Sequence, residues 1–366
     1  MSIEISSTPS PRYLAVGNLN SENTWDIRFL LARPDVEFLN TGPGKNIFST
    51  HSRTFRVVAS DARRGAYEII FAGNNAFPYF NPRKNFFRNA ANLTWKVLTH
   101  PNLLKGGCFP YARLGSPLVG IDMEDRPVVD NRWFNILNHS ICFFKRELPP
   151  NPCNALLYTT AKTEDNGNVL HSPIYQRWLR KLRPISLGVE PKICREFSTL
   201  QVSKKTDVFF AGDLTNRPNR QAGIKQIELL KAEGYAIDIA TEKLSRPDFL
   251  RRCAQAHIVW SPEGFGWDCF RHYEIAVVGS VPLMQSPSIQ RYAPLQDELH
   301  AIYYYVEGDH LTTCLRRALQ NRSRLVEMGL AARQHVLRWH THEALSRYVI
   351  EETRRTIAEA QTSSCG

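Results

Sequence analysis

The sequence has no long apolar run and no paired cysteines. No stretch approaches the roughly 18 apolar residues that span a bilayer, so we expect no transmembrane helix. The eight cysteines show no CxxC spacing and most lie in apolar runs, which favours reduced thiols over disulfides or a zinc site. The N-terminus, MSIEISSTPSPR, lacks the charged start and apolar stretch of a signal peptide. We therefore expect a cytoplasmic protein.

Acidic residues are also scarce relative to basic ones. Asp and Glu number 35 against 46 Lys and Arg, which gives a formal net charge of +11. This balance favours an anionic partner, either a nucleotide, a nucleic acid or an acidic membrane surface. The excess is spread along the chain rather than focused in one stripe. We therefore expect no specific nucleic-acid binding, and peripheral contact with an anionic membrane surface stays open.

The length and composition predict two folded domains. A chain of 366 residues with 43% hydrophobic and 22% charged residues is long enough for two cores. The pattern changes at KLRPISLGVEPK, a segment around Pro184 that Pro and Gly interrupt. We predict a first domain over 1–184, a second over 185–340, and a terminal helix over 341–366 that packs on the first domain.

The first half contains short apolar runs separated by Gly, Pro and Asn. PRYLAVGNL predicts a strand, and SENTWDIRFLLA predicts a helix after it. Four further runs predict strands: RVVAS (56–60), YEIIFAG (67–73), LVGID (118–122) and SICFF (140–144). Strands that alternate with helices indicate an α/β layered domain.

The second half alternates more regularly. TDVFFAGD predicts a buried strand that ends at Gly212, and IKQIELLKAEG predicts a helix that stops at Gly234. YAIDIAT and HIVWSP predict the next strands, with the helix RPDFLRRCAQA between them. This order predicts a doubly wound α/β domain, in which ligands bind outside the carboxyl ends of the strands.

A glycine-rich turn follows the strand HIVWSP. Gly264 and Gly266 flank Phe265, and a helix is predicted to begin near Asp268. Without side chains the two glycines let backbone N–H groups approach an anion, and the positive end of the helix dipole points to the same place. The segment therefore suits a phosphate group, although a purely steric role for the glycines stays open.

The predicted helix places Arg271 and Glu274 on one face. The Arg271 guanidinium could donate to two diphosphate oxygens, and the Glu274 carboxylate could accept hydrogen bonds from ribose hydroxyls. The alternative is an i,i+3 salt bridge on the surface. Tyr303 to Tyr305 could line the same crevice or simply alternate within a strand.

The segment CFRHYEIAVVGSVPLM resembles the F-R-x-x-E-A … G-x-x-P-V segment of exostosin-type glycosyltransferases. Residues 206–284 look like the nucleotide-binding half of a GT-B enzyme, and the similarity covers roughly residues 118–350. The resemblance implies two Rossmann-like α/β/α domains that face a central cleft, with the C-terminal helix crossing back to the first. The first domain would bind the acceptor and the second a nucleotide-sugar.

The resemblance also implies roles for individual residues. The matched arginine contacts the diphosphate and the matched glutamate the ribose, which assigns Arg271 and Glu274. Basic residues of the loop DLTNRPNRQ would assist, with Arg220 preferred to Arg217. We also predict donor contacts at Gly212, Gly264, Phe265 and Gly266. The implied activity is transfer of a UDP-linked sugar to a hydroxyl of a glycan or other acceptor. A nucleotide-sugar epimerase, or a transferase acting on a nucleic-acid acceptor, is the alternative.

The resemblance implies an inverting, metal-independent reaction. Glu263 begins an E-G-F-G pattern found in many retaining enzymes, but position 271 is arginine and the next glutamate follows three residues later. Inversion requires a general base. Candidates are Glu22, Asp26, Asp122 and Asp125, each of which could instead cap a helix or turn. Asp122 and Asp125 could also bind Mg²⁺, but GT-B enzymes generally use arginines, so we predict no cofactor and no essential metal.

Overall fold

The computed structural model describes residues 12–17, 27–41, 53–73, 109, 111–130, 133–157, 173–200, 202–215, 217–240 and 242–364. Contacts divide the chain into two compact units. The first unit contains Met1–Ile185 and Ser346–Gly366, and the second contains Ser186–Leu345.

The first unit is built on a parallel sheet of six strands in the order β2-β1-β3-β4-β5-β6. The strands are β1 (Tyr13–Gly17), β2 (Val36–Asn40), β3 (Ile69–Ala72), β4 (Leu118–Asp122), β5 (Cys142–Lys145) and β6 (Leu182–Pro184). Their residues are almost entirely buried, as expected when helices cover both faces of a parallel sheet.

The described helices of this unit are α1 (Phe55–Arg63), α2 (Phe134–His139), α3 (Asn154–Leu157) and α4 (Pro173–Leu179), with 3-10 turns at Arg28–Ala32 and Tyr111–Arg113. The strand predicted over RVVAS is wrong, because this segment lies in α1. Val58, Ala59 and Ala62 are buried at helical spacing, so tertiary burial overrides the strand preference of the valines.

The second unit has a parallel sheet of five strands in the order β11-β10-β9-β7-β8. The strands are β7 (Thr206–Ala211), β8 (Ile237–Ala240), β9 (Ala256–Ser261), β10 (Val281–Gln285) and β11 (Ile302–Tyr304). The helices are α5 (Pro191–Phe197), α6 (Pro218–Ala232), α7 (Arg246–Gln255), α8 (Phe270–Val277), α9 (His310–Leu319) and α10 (Arg322–Trp339). The two parallel sheets with their helices confirm the predicted α/β class.

One helix belongs to both units. Helix α11 (His342–Ser364) begins in the second unit and enters the first at Ser346. Within the first unit, Tyr348 donates from its hydroxyl to the Pro184 carbonyl at 2.9 Å, and Arg183 pairs with Glu352 at 2.6 Å. No described helix is both long and apolar enough to cross a membrane.

Two buried histidines of the second unit are held in the neutral form. His340 Nδ1 lies 2.8 Å from the Ser186 hydroxyl, and its Nε2 lies 2.7 Å from the Ala293 carbonyl. His272 has the same pattern with Ser261 and the Trp267 carbonyl, at 2.8 and 2.9 Å. Burial lowers the pKa of each imidazole to about 3. The carbonyl fixes Nε2 as the donor, so the hydroxyl donates to Nδ1.

These histidines predict a loss of stability in mild acid. In the unfolded chain the two histidines are protonated below about pH 6.5, whereas in the folded protein they stay neutral down to about pH 3. Each histidine therefore lowers the free energy of unfolding by about 1.4 kcal/mol per pH unit within that window. The His340→Gln variant should show a slope between pH 6 and pH 4 that is smaller by this amount, measured by urea unfolding. The control variant His139→Gln should keep the wild-type slope. A wild-type slope in His340→Gln would contradict the neutral, buried state assigned to His340.

Candidate active site

The candidate site lies at the strand-order reversal of the second sheet. Strand β7 has β8 on one side and β9 on the other, so the loops that follow β7 and β9 leave the sheet in opposite directions. In open parallel sheets, ligands bind at the carboxyl edge at such a point. The loop after β7 contains Gly212 and the loop after β9 contains Gly264, so the topology brings the two predicted segments together.

Arg220 joins these two loops from the first turn of α6. Its Nε and Nη2 donate to the Glu263 carbonyl at 3.2 and 2.7 Å, and its Nη1 donates to the Asp213 carbonyl at 3.0 Å. The residue is only 7% exposed. Burial, reinforced by the nearby Arg271, lowers the pKa of the guanidinium. Its hydrogen bonds go to main-chain oxygens, so its positive charge is not neutralised by them.

Arg271 extends from the first turn of α8 towards the same place. Its guanidinium carbon lies 5.6 Å from the centroid of the Phe210 ring. A Cβ atom on Gly212 would lie only 3.2 Å from Arg271 Nη2, so the glycine makes room for the guanidinium. Arg271 Nη1 is buried and has no hydrogen-bond partner among the described residues. A buried charged donor without a partner costs free energy, which an anion would recover.

Two helix starts add to the positive potential. Arg217 occupies the N-cap of α6 and Cys269 that of α8, and neither side chain caps its helix. Asp213, which precedes α6, instead accepts the Thr215 N–H at 2.8 Å within its own loop, and this bond lowers the pKa of the carboxyl. Backbone N–H groups at helix starts favour anions. Together with the two guanidiniums they make an anion-binding floor, formed by Gly212, Arg220 and Arg271.

Glu274, which the resemblance assigns to the ribose, is a buried residue of α8. It lies one turn beyond Arg271 on α8 and is 7% exposed. Its carboxylate forms a salt bridge with Arg246 at the start of α7, and Arg246 Nη1 lies 3.7 Å from Glu190. Burial raises the pKa of the Glu274 carboxyl, and Arg246 opposes this shift. Contact with a ribose stays a prediction, and Arg246 is a residue that sequence reasoning missed.

The loop after β9 is folded on itself. The Gly264 N–H donates to the Gly266 carbonyl at 2.9 Å, and a Cβ atom on Gly264 would lie 3.1 Å from the Cys269 sulfur. Phe265, between the two glycines, is 83% exposed. Arg217 lies over its ring, with the guanidinium carbon 4.1 Å from the ring centroid. The close approaches explain why glycine is suited to position 264.

A groove adjoins the anion-binding floor at the carboxyl ends of β7 and β8. Its volume is about 880 Å³, within the range of small-molecule sites. Its lining residues include Gly212 and Asp213 of the loop after β7 and the apolar residues Leu214, Leu244 and Phe249. Sequence reasoning missed Leu244 and Phe249, since nothing in a local pattern shows that α7 and its preceding loop border this groove.

Tyr303 and Tyr304 lie in β11, and Tyr305 follows the strand. Tyr304 is buried, and its hydroxyl accepts a hydrogen bond from Trp260 Nε1 at 3.0 Å. The hydroxyl of Tyr303 donates to the Leu295 carbonyl at 2.7 Å, and Tyr305 is 62% exposed. Tyr303 and Tyr304 therefore point to opposite sides of the strand, and a contact of these tyrosines with a ligand stays a prediction.

The carboxylates proposed as bases lie in the first unit. Asp122 ends β4 and is fully buried, with Oδ2 3.2 Å from Lys145 Nζ and Oδ1 accepting the Glu124 N–H at 2.9 Å. Asp125, in the following turn, forms a salt bridge with Arg146, and its side chain is 53% exposed. Glu22 and Asp26 lie outside the described residues. Asp125 is therefore the more accessible of the two described candidates.

Within the described residues, no group of three or more His, Cys, Asp or Glu side chains could hold a metal ion.

No protein-family model and no curated protein sequence matches the chain. Solved structures do. A glycosyltransferase from Rickettsia africae ESF-5 aligns with 10% identity over 94% of this chain and 98% of its own, at a TM-score of 0.48. HepE of Anabaena, in complex with UDP and glucose, aligns with 10% identity over 93% and 98%, also at 0.48. Sucrose-phosphate synthase from Thermosynechococcus elongatus aligns with 11% identity over 95% and 89%, at 0.46. Alignments at these values assign no role to any residue of this chain.

Burial separates the two described aspartates experimentally. Asp122→Ala leaves Lys145 buried without its counter-ion, so we expect it to lower the free energy of unfolding by about 3–5 kcal/mol. Asp125→Ala removes a 53% exposed carboxylate from Arg146, which is 4% exposed but keeps Glu147 at 3.4 Å, so we expect a smaller loss of about 1 kcal/mol. Urea unfolding of both variants checks this, and equal losses would show that Asp122 and Lys145 do not depend on each other.

Proposed function

We propose that the protein is a GT-B glycosyltransferase that transfers a sugar from a nucleoside diphosphate-sugar, UDP-linked, to a hydroxyl acceptor. The observation that carries the proposal is the buried Nη1 of Arg271, which has no hydrogen-bond partner among the described residues and lies beside Arg220 at the reversal of strand order. A diphosphate supplies several strong acceptors and two or more negative charges, and so satisfies both guanidiniums and both helix starts.

In this proposal the nucleoside binds in the groove next to the anion-binding floor. The groove opens on Gly212 and Asp213, the same loop that borders the anion-binding floor, so a nucleoside there leaves its phosphates over Arg271. The apolar side chains Leu244 and Phe249 suit the face of a base. The resemblance of CFRHYEIAVVGSVPLM to the exostosin-type segment supports the same arrangement, with the diphosphate at Arg271 and the ribose at Glu274.

Catalysis follows from charge at the leaving group. As the bond between the anomeric carbon and the diphosphate breaks, negative charge develops on the phosphate oxygens, where Arg271 and Arg220 stabilise it without a metal. In the inverting reaction that we propose, a carboxylate takes the proton from the acceptor hydroxyl as its oxygen attacks the opposite face of the carbon. Asp125 is our proposed base, because it is half exposed and Asp122 is enclosed with Lys145.

The same proposal places the enzyme in the cytoplasm, in contact with an anionic membrane surface. The net charge of +11 supports the membrane contact.

Ligand-induced stabilisation tests the donor site. UDP and its sugars should raise the thermal midpoint of the wild-type protein, because they bind only the folded state. Arg271→Ala removes charge-assisted hydrogen bonds worth about 1.5–3 kcal/mol, so its Kd for UDP should rise about tenfold or more. The matched control is Arg251→Ala, a loss of the same charge at a 60% exposed side chain that pairs with Asp248. Wild-type protein that no nucleoside diphosphate stabilises would contradict the proposal.

Substitution of the proposed base tests the mechanism. Asp125→Asn should lower the transfer rate about 100-fold or more and leave the Kd for UDP unchanged, because the base acts only in the chemical step. Glu124→Gln, which removes the neighbouring carboxylate, is the control and should retain the rate. Product analysis after incubation with donor and acceptor gives the measurement. Wild-type rates in Asp125→Asn would exclude it as the base, and an isomerised donor without released UDP would indicate an epimerase instead.

A further inference from the structure

A second groove lies in the first unit, at the amino ends of β4 and β5. Its volume is about 500 Å³. Its apolar lining includes Pro117 and Ile141, which directly precede the two strands, and Ile357 and Ala360 of α11. Asp122 ends β4 at the opposite edge of the same sheet. The groove is therefore separate from the edge where the described candidates for the base lie.

The lining also contains a cation with a donor to spare. Ser140 and Thr356 donate from their hydroxyls to main-chain carbonyls, at 3.2 and 3.0 Å. Lys181 lines the same groove, and its ammonium donates to the Leu137 and Asn138 carbonyls, at 2.9 Å each. An ammonium has three donors, so one remains for a ligand. The groove thus combines an apolar surface with a positively charged donor.

Two arginines next to Lys181 add to the positive charge. Arg177 lies in α4 and donates from Nη2 to Asn138 Oδ1 at 2.6 Å, and Arg180 is exposed just after the helix. Within the part of the chain that the structure describes, none of the three cations forms a salt bridge. Burial, reinforced by Arg177, lowers the pKa of Lys181 to about 8. The pKa falls because no described carboxylate compensates for the lost hydration.

We infer that this groove binds an anionic phospholipid of a membrane, with an acyl chain along the apolar lining and the phosphate at Lys181, Arg177 and Arg180. The inference rests on the membrane contact of the proposed function and assigns that contact to a place in the first unit. Basic side chains attract anionic headgroups, and an acyl chain in the groove removes apolar surface from water. A free phosphate would match the cations alone and leave the apolar lining in water.

The exposed side of α4 supports a membrane as the source of the lipid. Ile174 is 42% exposed and lies three residues before Arg177, on the same side of the helix. An exposed apolar side chain beside cations is typical of helices at a membrane interface. An acidic peptide would pair with the cations, but it has no acyl chain to cover the groove. The observations therefore favour the lipid.

Co-sedimentation of the full chain with vesicles tests the charge at the site. The wild-type protein should bind vesicles of phosphatidylcholine and phosphatidylglycerol about tenfold or more tightly than vesicles of phosphatidylcholine alone. Arg177→Gln/Arg180→Gln should weaken binding to the anionic vesicles about tenfold or more, because two headgroup contacts are lost. The matched control, Arg56→Gln/Arg63→Gln, removes two exposed arginines of α1 and should weaken binding about threefold or less.

A pair of substitutions on α11 tests the groove itself. Ala360→Glu places a carboxylate among the lining residues and should weaken binding to the anionic vesicles about tenfold or more, because it repels the phosphate and the acyl chain. Ala358→Glu makes the same change of charge at an exposed residue outside the lining and should bind nearly as the wild-type protein does. Both positions are exposed, so an unchanged thermal midpoint should confirm that both variants fold.

Any of four results would overturn the lipid site: equal binding of the wild-type protein to both vesicle types, equal losses in the two double variants, wild-type binding in Ala360→Glu, or equal losses in Ala358→Glu and Ala360→Glu. Binding to polyglutamate without binding to vesicles would identify an acidic peptide instead and would also overturn it. UDP should raise the thermal midpoint of these variants as it does for the wild-type protein. Failure of UDP to do so in the wild-type protein contradicts the transferase and leaves the vesicle result unaffected.

Discussion

The candidate site depends on the guanidinium of Arg271, which lies close to that of Arg220 in the second unit. Arg271 is packed against Phe210 and the bare backbone of Gly212, with one buried nitrogen that bonds to no described residue. Arg220 adds a second guanidinium whose bonds go to carbonyl oxygens. Two like charges at close quarters raise the free energy of the fold. Burial of apolar side chains in the core of the second unit, including Phe210 and Trp260, offsets this unfavourable free energy.

The sequence predicted the second unit well because each of its elements follows a local rule. The strands are largely apolar runs, helices α5, α6 and α7 carry Pro at their first turn, and Gly234 follows α6 with a φ of +87°. Once the strands alternate with helices, chirality and connection rules leave few topologies. The ends of β7 and β9 are then expected at one edge, and so are the glycines and arginines that follow them.

Other features are decided by contacts that no local pattern contains. RVVAS contains valines, which favour strands, but the segment forms part of α1. Its buried residues Val58, Ala59 and Ala62 recur at helical spacing. Glu274 finds Arg246 from a different helix, 28 residues away, and the pair was invisible in the sequence. Asp122 and Asp125 are the same residue type three positions apart, but their surroundings differ. Asp122 is buried beside Lys145 of β5, whereas Asp125 pairs with Arg146 and is 53% exposed. Long-range pairing, rather than propensity, separates them.

The way in which Arg220 fastens the two loops has a consequence for how this site can change. Its three bonds reach only the carbonyl oxygens of Asp213 and Glu263, which every amino acid possesses. The side chain of Glu263 can therefore change without loss of these bonds, whereas the Asp213 carboxylate also accepts the Thr215 N–H and orders its own loop. Substitutions at Glu263 could therefore change which substrates bind at the site, while the hydrogen bonds of Arg220 keep the two loops together.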